Sequence, residues 1–124
     1  MRVLTLEVIK ELALVTIQER NIDAKHKLQE FYKYLNCDVI DIVEVEIDGH
    51  FYDIIADDEA LLKSPKIPTV FVNEDLIIFG SCAFCRSDCN GNTIGITESD
   101  CNRIRKWLYG QDIKMRQWFS TIKK

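Results

Sequence analysis

Cys82, Cys85, Cys89 and Cys101 follow one another as C-x2-C-x3-C-x11-C. Four thiolates are enough to hold tetrahedral zinc. A CxxC pair grips a metal when a tight turn aims both sulfurs at one point. Here Ala83 and Phe84 separate the pair, and the segment continues an apolar run from Leu76. In a strand, positions three apart point to opposite faces, so Cys82 and Cys85 are expected to diverge. Zinc ribbons carry two CxxC knuckles, and this chain has one. A thioredoxin-like redox pair opens a helix after a strand, which this pair does not. The favoured reading makes Cys82 a small buried apolar residue, with the others near a turn. Zinc on Cys82, Cys85, Cys89 and Cys101 is the alternative, and no other cofactor is expected.

Carboxylates form the second candidate. From Asp38 to Glu59 there are nine acidic residues and no Lys or Arg. Glu44, Glu46 and Asp48 alternate along one expected strand face, and Asp57, Asp58 and Glu59 end the partner strand. Carboxylates in a row repel, which costs stability unless solvent, a cation or a basic partner screens them. The plain reading is a solvated outer strand face that resists edge pairing. The functional reading is a surface that competes for a basic groove. A divalent-cation site is weaker, because these residues do not follow a known loop pattern.

The third candidate is basic and aromatic. Arg103, Lys106, Trp107 and Tyr109 fall within seven positions and could hold a small ligand such as a nucleotide signal. Aromatic and basic residues together also suit nucleic acid, but the net charge of −4 argues against direct nucleic-acid binding. Packing or homo-oligomer formation through the C-terminal helix is the favoured use of the tail aromatics. Catalysis has little support. There are two histidines, His26 and His50, and no spacing selects a Cys–His pair. The chain has no Gly-rich phosphate loop, no GxSxG and no HExxH. The expectation is a non-enzymatic protein.

The elements that must position these groups are legible by period. Val3 to Val8 and Leu12 to Gln18 read as two strands of a hairpin. Ala24, Leu28, Phe31 and Leu35 mark one face of a helix at about 23–35, with Asp23 as N-cap, or Asn21 if the helix starts earlier, and Asn36 as its end. Val39, Val43, Val45 and Ile47 share a strand face. Asp48-Gly49 is a hairpin turn, and His50 to Ala56 returns. Pro65 and Pro68 exclude a regular helix or a central strand. Leu76 to Phe84 reads as one buried strand, and Thr93 to Ile96 as a short one. Thr97 caps a helix whose apolar face is Cys101, Ile104 and Leu108, before Gly110 punctuates. The tail carries its own stripe of Met115, Trp118, Phe119 and Ile122.

The 124 residues fit one domain, 1–124, with an α+β core over 1–109 and a helical extension over 110–124. No run approaches the ~20 uncharged residues of a membrane span, and no cleavable leader is evident. Five cysteines, an odd number, suggest reduced thiols and a cytoplasmic location. The expected fold is α+β: a mostly antiparallel twisted sheet, one packed amphipathic helix and a helical C-terminus.

Three stretches carry a family likeness: NIDAKHKLQEFYKYLNCDVIDIVEVEI, IIADDEALLKSPKIPTVFVNEDLIIFGSCAF and NTIGITESDCNRI. Together they resemble the phage- and plasmid-encoded domain of unknown function 3846, over about residues 1–105. Asn36 and Cys37 stand where that pattern has two Gly. The resemblance implies a mobile-element origin, residence in the host cytoplasm and an accessory role. In that role a small protein binds and blocks, or sequesters, something belonging to the host, with a host protein as the expected partner. It supplies no catalytic residues.

Overall fold

The computed structural model describes residues 1–12, 14–63 and 66–122, with side chains up to Gln111. Strand β1 (Arg2–Ile9) buries Val3, Leu4, Thr5 and Leu6 in succession, alternate residues facing opposite sides of the sheet, and pairs with β2 (Leu14–Asn21), antiparallel along its whole length. The second strand lies two to three residues later than its apolar run suggests. Lys10–Leu12 forms a 3-10 turn that takes Leu12 out of the strand, and Glu19, Arg20 and Asn21 continue the pairing instead.

Helix α1 (Lys27–Leu35) follows a 3-10 turn at Ala24–His26. The Lys25 N–H donates to the Asp23 side chain at 3.0 Å, and Asn36 ends the helix in the left-handed region at φ 50°. Strands β3 (Ile40–Ile47) and β4 (His50–Asp57) form the expected hairpin. Asp48 and Gly49 both take positive φ, 55° and 80°, the geometry that suits a two-residue turn to twisted strands. Val39 is not on the buried face: it precedes β3 and is largely exposed.

The expected strand from Leu76 to Phe84 is two strands. Gly80, at φ 80°, bends the chain. Before it, β5 (Pro68–Asn73) and β6 (Leu76–Phe79) form a separate two-stranded sheet, with Pro68 as the first residue of its strand. After it, β7 (Cys82–Ser87) enters the main sheet between β1 and β4. The main sheet is antiparallel throughout, ordered β2-β1-β7-β4-β3, with β8 (Thr93–Ile94) added to β7. Gly95 has its own reason. A Cβ there would sit 2.9 Å from the Arg2 backbone nitrogen, so glycine lets Ile96 N–H donate to the Arg2 carbonyl at 2.8 Å.

Helix α2 (Glu98–Ile122) begins with the predicted cap. Asp100 N–H donates to Thr97 Oγ1 at 3.1 Å, and Thr97 N–H donates to the Asp100 carboxylate at 2.9 Å. Gly110 does not punctuate: the helix runs through it. An interior Gly costs about 1 kcal/mol relative to Ala but removes no hydrogen bond, so helix continuation on both sides prevails. No helix among the described residues is long and apolar enough to cross a membrane.

A packed layer lies on each face of the sheet. On one, α1 sets Phe31 and Leu35 against Val3, Ile55, Ala83 and Cys85. On the other, α2 and the β5–β6 hairpin pack Ile104, Leu108, Val70 and Ile78 against Leu4, Leu6, Ile54 and Phe84. Phe84 has no exposed surface, so Phe84→Ala is expected to cost about 3–5 kcal/mol in urea unfolding. Leu62, 83% exposed, serves as control: Leu62→Ala should stay within about 0.5 kcal/mol of the parent.

Candidate functional site

The cysteines separate as their phase requires. Cys82 packs on the α2 side of β7 with Cys101, Cys85 packs on the α1 side, and Cys89 is exposed beyond the strand. Among the described residues, no three Cys, His, Asp or Glu side chains converge on a metal position. A tetrahedral site on Cys82, Cys85, Cys89 and Cys101 therefore does not fit: its sulfurs lie on two faces of a sheet and in a turn. Burial pushes the Cys82 and Cys85 thiols up to about 12, and the Cys101 thiol up to about 11. These are poor nucleophiles and poor ligands.

The six acidic residues occupy three places. Glu44 and Glu46 lie exposed on the α1-side face of β3, where Glu44 pairs with Asp53 and Glu46 with Phe51. Asp48 sits in the turn, opposite α2. Asp57, Asp58 and Glu59 lie at the far end of β4, roughly 20 Å along the hairpin at ~3.4 Å per residue. Asp57 is already engaged. Its carboxylate accepts from Lys63 Nζ at 2.6 Å and from Glu59 N–H at 2.9 Å, and its side chain is 6% exposed. The single acidic surface resolves into a short patch at Glu44 and Glu46. Around that patch, α1 leaves the sheet uncovered, and Ile42 (53%) and Phe51 (56%) are exposed beside the carboxylates.

The basic residues separate too. Arg103, Lys106 and Trp107 line a cleft of about 420 Å³, together with Asn102 on the same helix and Ile47 and Asp48 of the hairpin. Tyr109 does not belong to it; it faces a different hollow beside Val15, Pro68 and Gln111. Arg103 is held by a buried network. Its Nη1 donates to Tyr52 Oη at 2.7 Å and to Asp100 Oδ1 at 2.9 Å, and Tyr52 Oη donates to Asp100 at 2.6 Å. Trp107 meets Phe84 edge-on, with ring centroids 6.3 Å apart. Arg105 is turned to Glu19 of β2, at 3.7 Å. The stripe Met115, Trp118, Phe119 and Ile122 lies outside the described side chains, and with it the expected self-association.

Burial alone would raise the Asp100 carboxyl. Hydrogen bonds from Thr97 N–H, the Tyr52 hydroxyl and the Thr97 hydroxyl, with the Arg86 charge, outweigh it and hold the group below its ordinary value. Burial and the Asp100 bond push the Tyr52 phenol up. Sequence reasoning found Thr97 as the cap of the helix but missed Tyr52 and Arg103 as partners of the Asp100 carboxylate in its first turn. Tyr52 shares strand phase with Ile54 and Ala56, so it was legible as inward-facing but not as bonded. Phe51 and Ile42 were missed because an exposed apolar residue in a strand has no local mark.

No family model, curated protein or solved structure matches this chain.

Two outcomes follow from these environments. Asp100→Asn should cost about 1.5–3 kcal/mol at pH 7 in urea unfolding, the scale of hydrogen bonds to a charged group. Because the folded carboxyl lies below 3.8, that contribution is complete above pH 3.8 and is lost as the pH falls through the folded value. The gap between wild type and variant should therefore close in acid. Separately, thiol titration of the native chain should find Cys89 modified quickly, and Cys37, Cys82, Cys85 and Cys101 only on unfolding. Rapid reaction of Cys82 would contradict its burial.

Proposed function

We propose that this chain is a non-enzymatic accessory protein of a phage or mobile element. It binds and inhibits a host defence component in the host cytoplasm, through protein contact. The resemblance to domain of unknown function 3846 supplies the mobile-element context. The observation that carries the contact reading is the uncovered patch of the β3–β4 face, where Phe51 and Ile42 stand exposed among Glu44, Glu46 and Asp53.

Solvation accounts for the carboxylates but not for a Phe and an Ile, each about half exposed, at the two ends of the patch with Glu44 and Asp53 between them. Apolar side chains rimmed by like charges suit a partner with an apolar anchor point inside a basic surround. The aromatic ring supplies affinity by desolvation, and the carboxylates supply steering and register. A negative patch on an acidic chain also disfavours direct nucleic-acid contact. Of the six carboxylates singled out by sequence, the reading now rests on Glu44 and Glu46. Asp57 is neutralised by Lys63, and Asp48, Asp58 and Glu59 lie elsewhere.

The test is capture from host lysate, followed by mass spectrometry, with wild type, Phe51→Ala and the Glu44→Lys/Glu46→Lys double variant side by side. All three positions are exposed, so thermal stability should hold. A partner captured by wild type should bind Phe51→Ala about 30-fold more weakly, as removal of a ~2 kcal/mol anchor predicts. Charge reversal should abolish capture. A partner retained equally by the charge-reversed chain would remove this surface from the function.

A further inference from the structure

We infer that the cleft between the Asp48–Gly49 turn and α2 binds a small ligand that joins an anionic group to a flat heteroaromatic ring, the chemistry of a mononucleotide. The site lies on the α2 side of the hairpin, on the face opposite Glu44 and Glu46, and is independent of the contact surface above. Its volume, about 420 Å³, falls in the range of small-molecule sites.

Three kinds of surface converge there. Trp107, partly buried and set edge-on to Phe84, forms an apolar wall, and Ile47 lines the cleft with almost no exposed surface of its own. Such a wall accepts any flat ring, because stacking uses the π-face and not a hydrogen-bond code. Lys106 and Arg103 provide positive charge from one flank. They share a helix face with Asn102 and Trp107 because positions three to four apart are neighbours. Asp48 provides an acceptor from the other flank.

Arg103 is the best-prepared of these groups. Both of its bonds to Tyr52 and Asp100 leave from Nη1. The guanidinium is thus fixed in orientation while Nη2 and Nε keep hydrogens for a second acceptor, and a planar fork favours carboxylate or phosphate oxygens. Asp100 offsets the Arg103 charge, so Lys106 supplies the uncompensated attraction; among the described residues it has no ion-pair partner. The polarity across the cleft then orients a ligand. Its anionic group lies toward Arg103 and Lys106, its ring against Trp107, and a ring amine can donate to Asp48.

The 124-residue chain tests this in a Trp118→Phe background, which leaves Trp107 as the sole tryptophan. AMP, GMP, CMP and UMP are titrated while the Trp107 indole N–H is followed by NMR, with inorganic phosphate and adenosine as separate arms. The expected result is saturable movement of that resonance by at least one nucleotide. Lys106→Glu should weaken binding at least ten-fold. Lys33→Glu, the same charge change on exposed α1, and Glu44→Lys/Glu46→Lys should leave it within about two-fold. The inference is overturned if no nucleotide moves the signal by about 10 mM, an affinity weaker than ~−3 kcal/mol. It is equally overturned if phosphate or adenosine alone binds as tightly as the nucleotides, or if Lys33→Glu weakens binding as much as Lys106→Glu.

Discussion

Everything in this fold depends on β7 being buried on both faces. Cys82, Ala83, Phe84 and Cys85 have no exposed surface. They sit between β1 and β4: Cys82, Ala83 and Phe84 have strand partners on both edges, and Cys85 on the β4 edge. A strand in that position needs an apolar layer above and another below. One helix cannot supply both, which is why α1 and α2 lie on opposite faces and why the β5–β6 hairpin fills the space beside α2. The same constraint explains the cysteines. A central strand flanked by two packed layers takes small apolar side chains at some positions to let those layers approach, and free cysteine behaves as one. Burial that makes them good packing residues removes them from chemistry, since the thiolate is disfavoured in apolar surroundings.

A polar network carries that arrangement outward to the surface. Asp100 is at once the capping carboxylate of α2, the acceptor for Tyr52 and the partner of Arg103. Tyr52 belongs to β4, so one carboxylate ties the first turn of α2 to the sheet and fixes which way the helix faces. Buried polar groups are tolerable only when fully bonded, and no buried side-chain N or O among the described residues lacks a partner. The consequence for function is geometric. Once the helix is held at its first turn, Asn102, Arg103, Lys106 and Trp107 are aimed at the Asp48–Gly49 turn, and the cleft exists before anything fills it.

The fold was largely legible because its signals are local. The Asp48-Gly49 turn, the Thr97-x-x-Asp100 cap and the Asn36 helix end are each written within a few residues. The even spacing of Cys82 and Phe84 against Ala83 and Cys85 was enough to separate the sulfurs. What was not legible is whatever depends on pairing between distant segments. A bend at Gly80 inside a continuous apolar run changes no period. Nothing near Gly110 shows that the helix continues, because one glycine costs less than the turns on either side of it gain. The acidic residues looked like one surface because they are close in sequence. A hairpin folds them into separate places, and a lysine six residues after Asp57 takes that carboxylate out of reach.

The two candidate surfaces differ in what they ask of the fold. The Phe51 patch spans the edge strand β3 and its neighbour β4, on the face of the sheet that carries α1; it needs only that β3 and β4 stay paired. The cleft needs the register of that same hairpin and the rotation of α2 together, since its two walls come from segments more than fifty residues apart in the chain. A change that loosens α2, such as loss of the Asp100 network, would therefore open the cleft while leaving the Phe51 patch in place. A one-residue slip in β3 would exchange its two faces and damage both. The hairpin turn is thus the element shared by the two sites. Its positive-φ pair, Asp48 and Gly49, sets the register on which both the contact surface and the cleft are built.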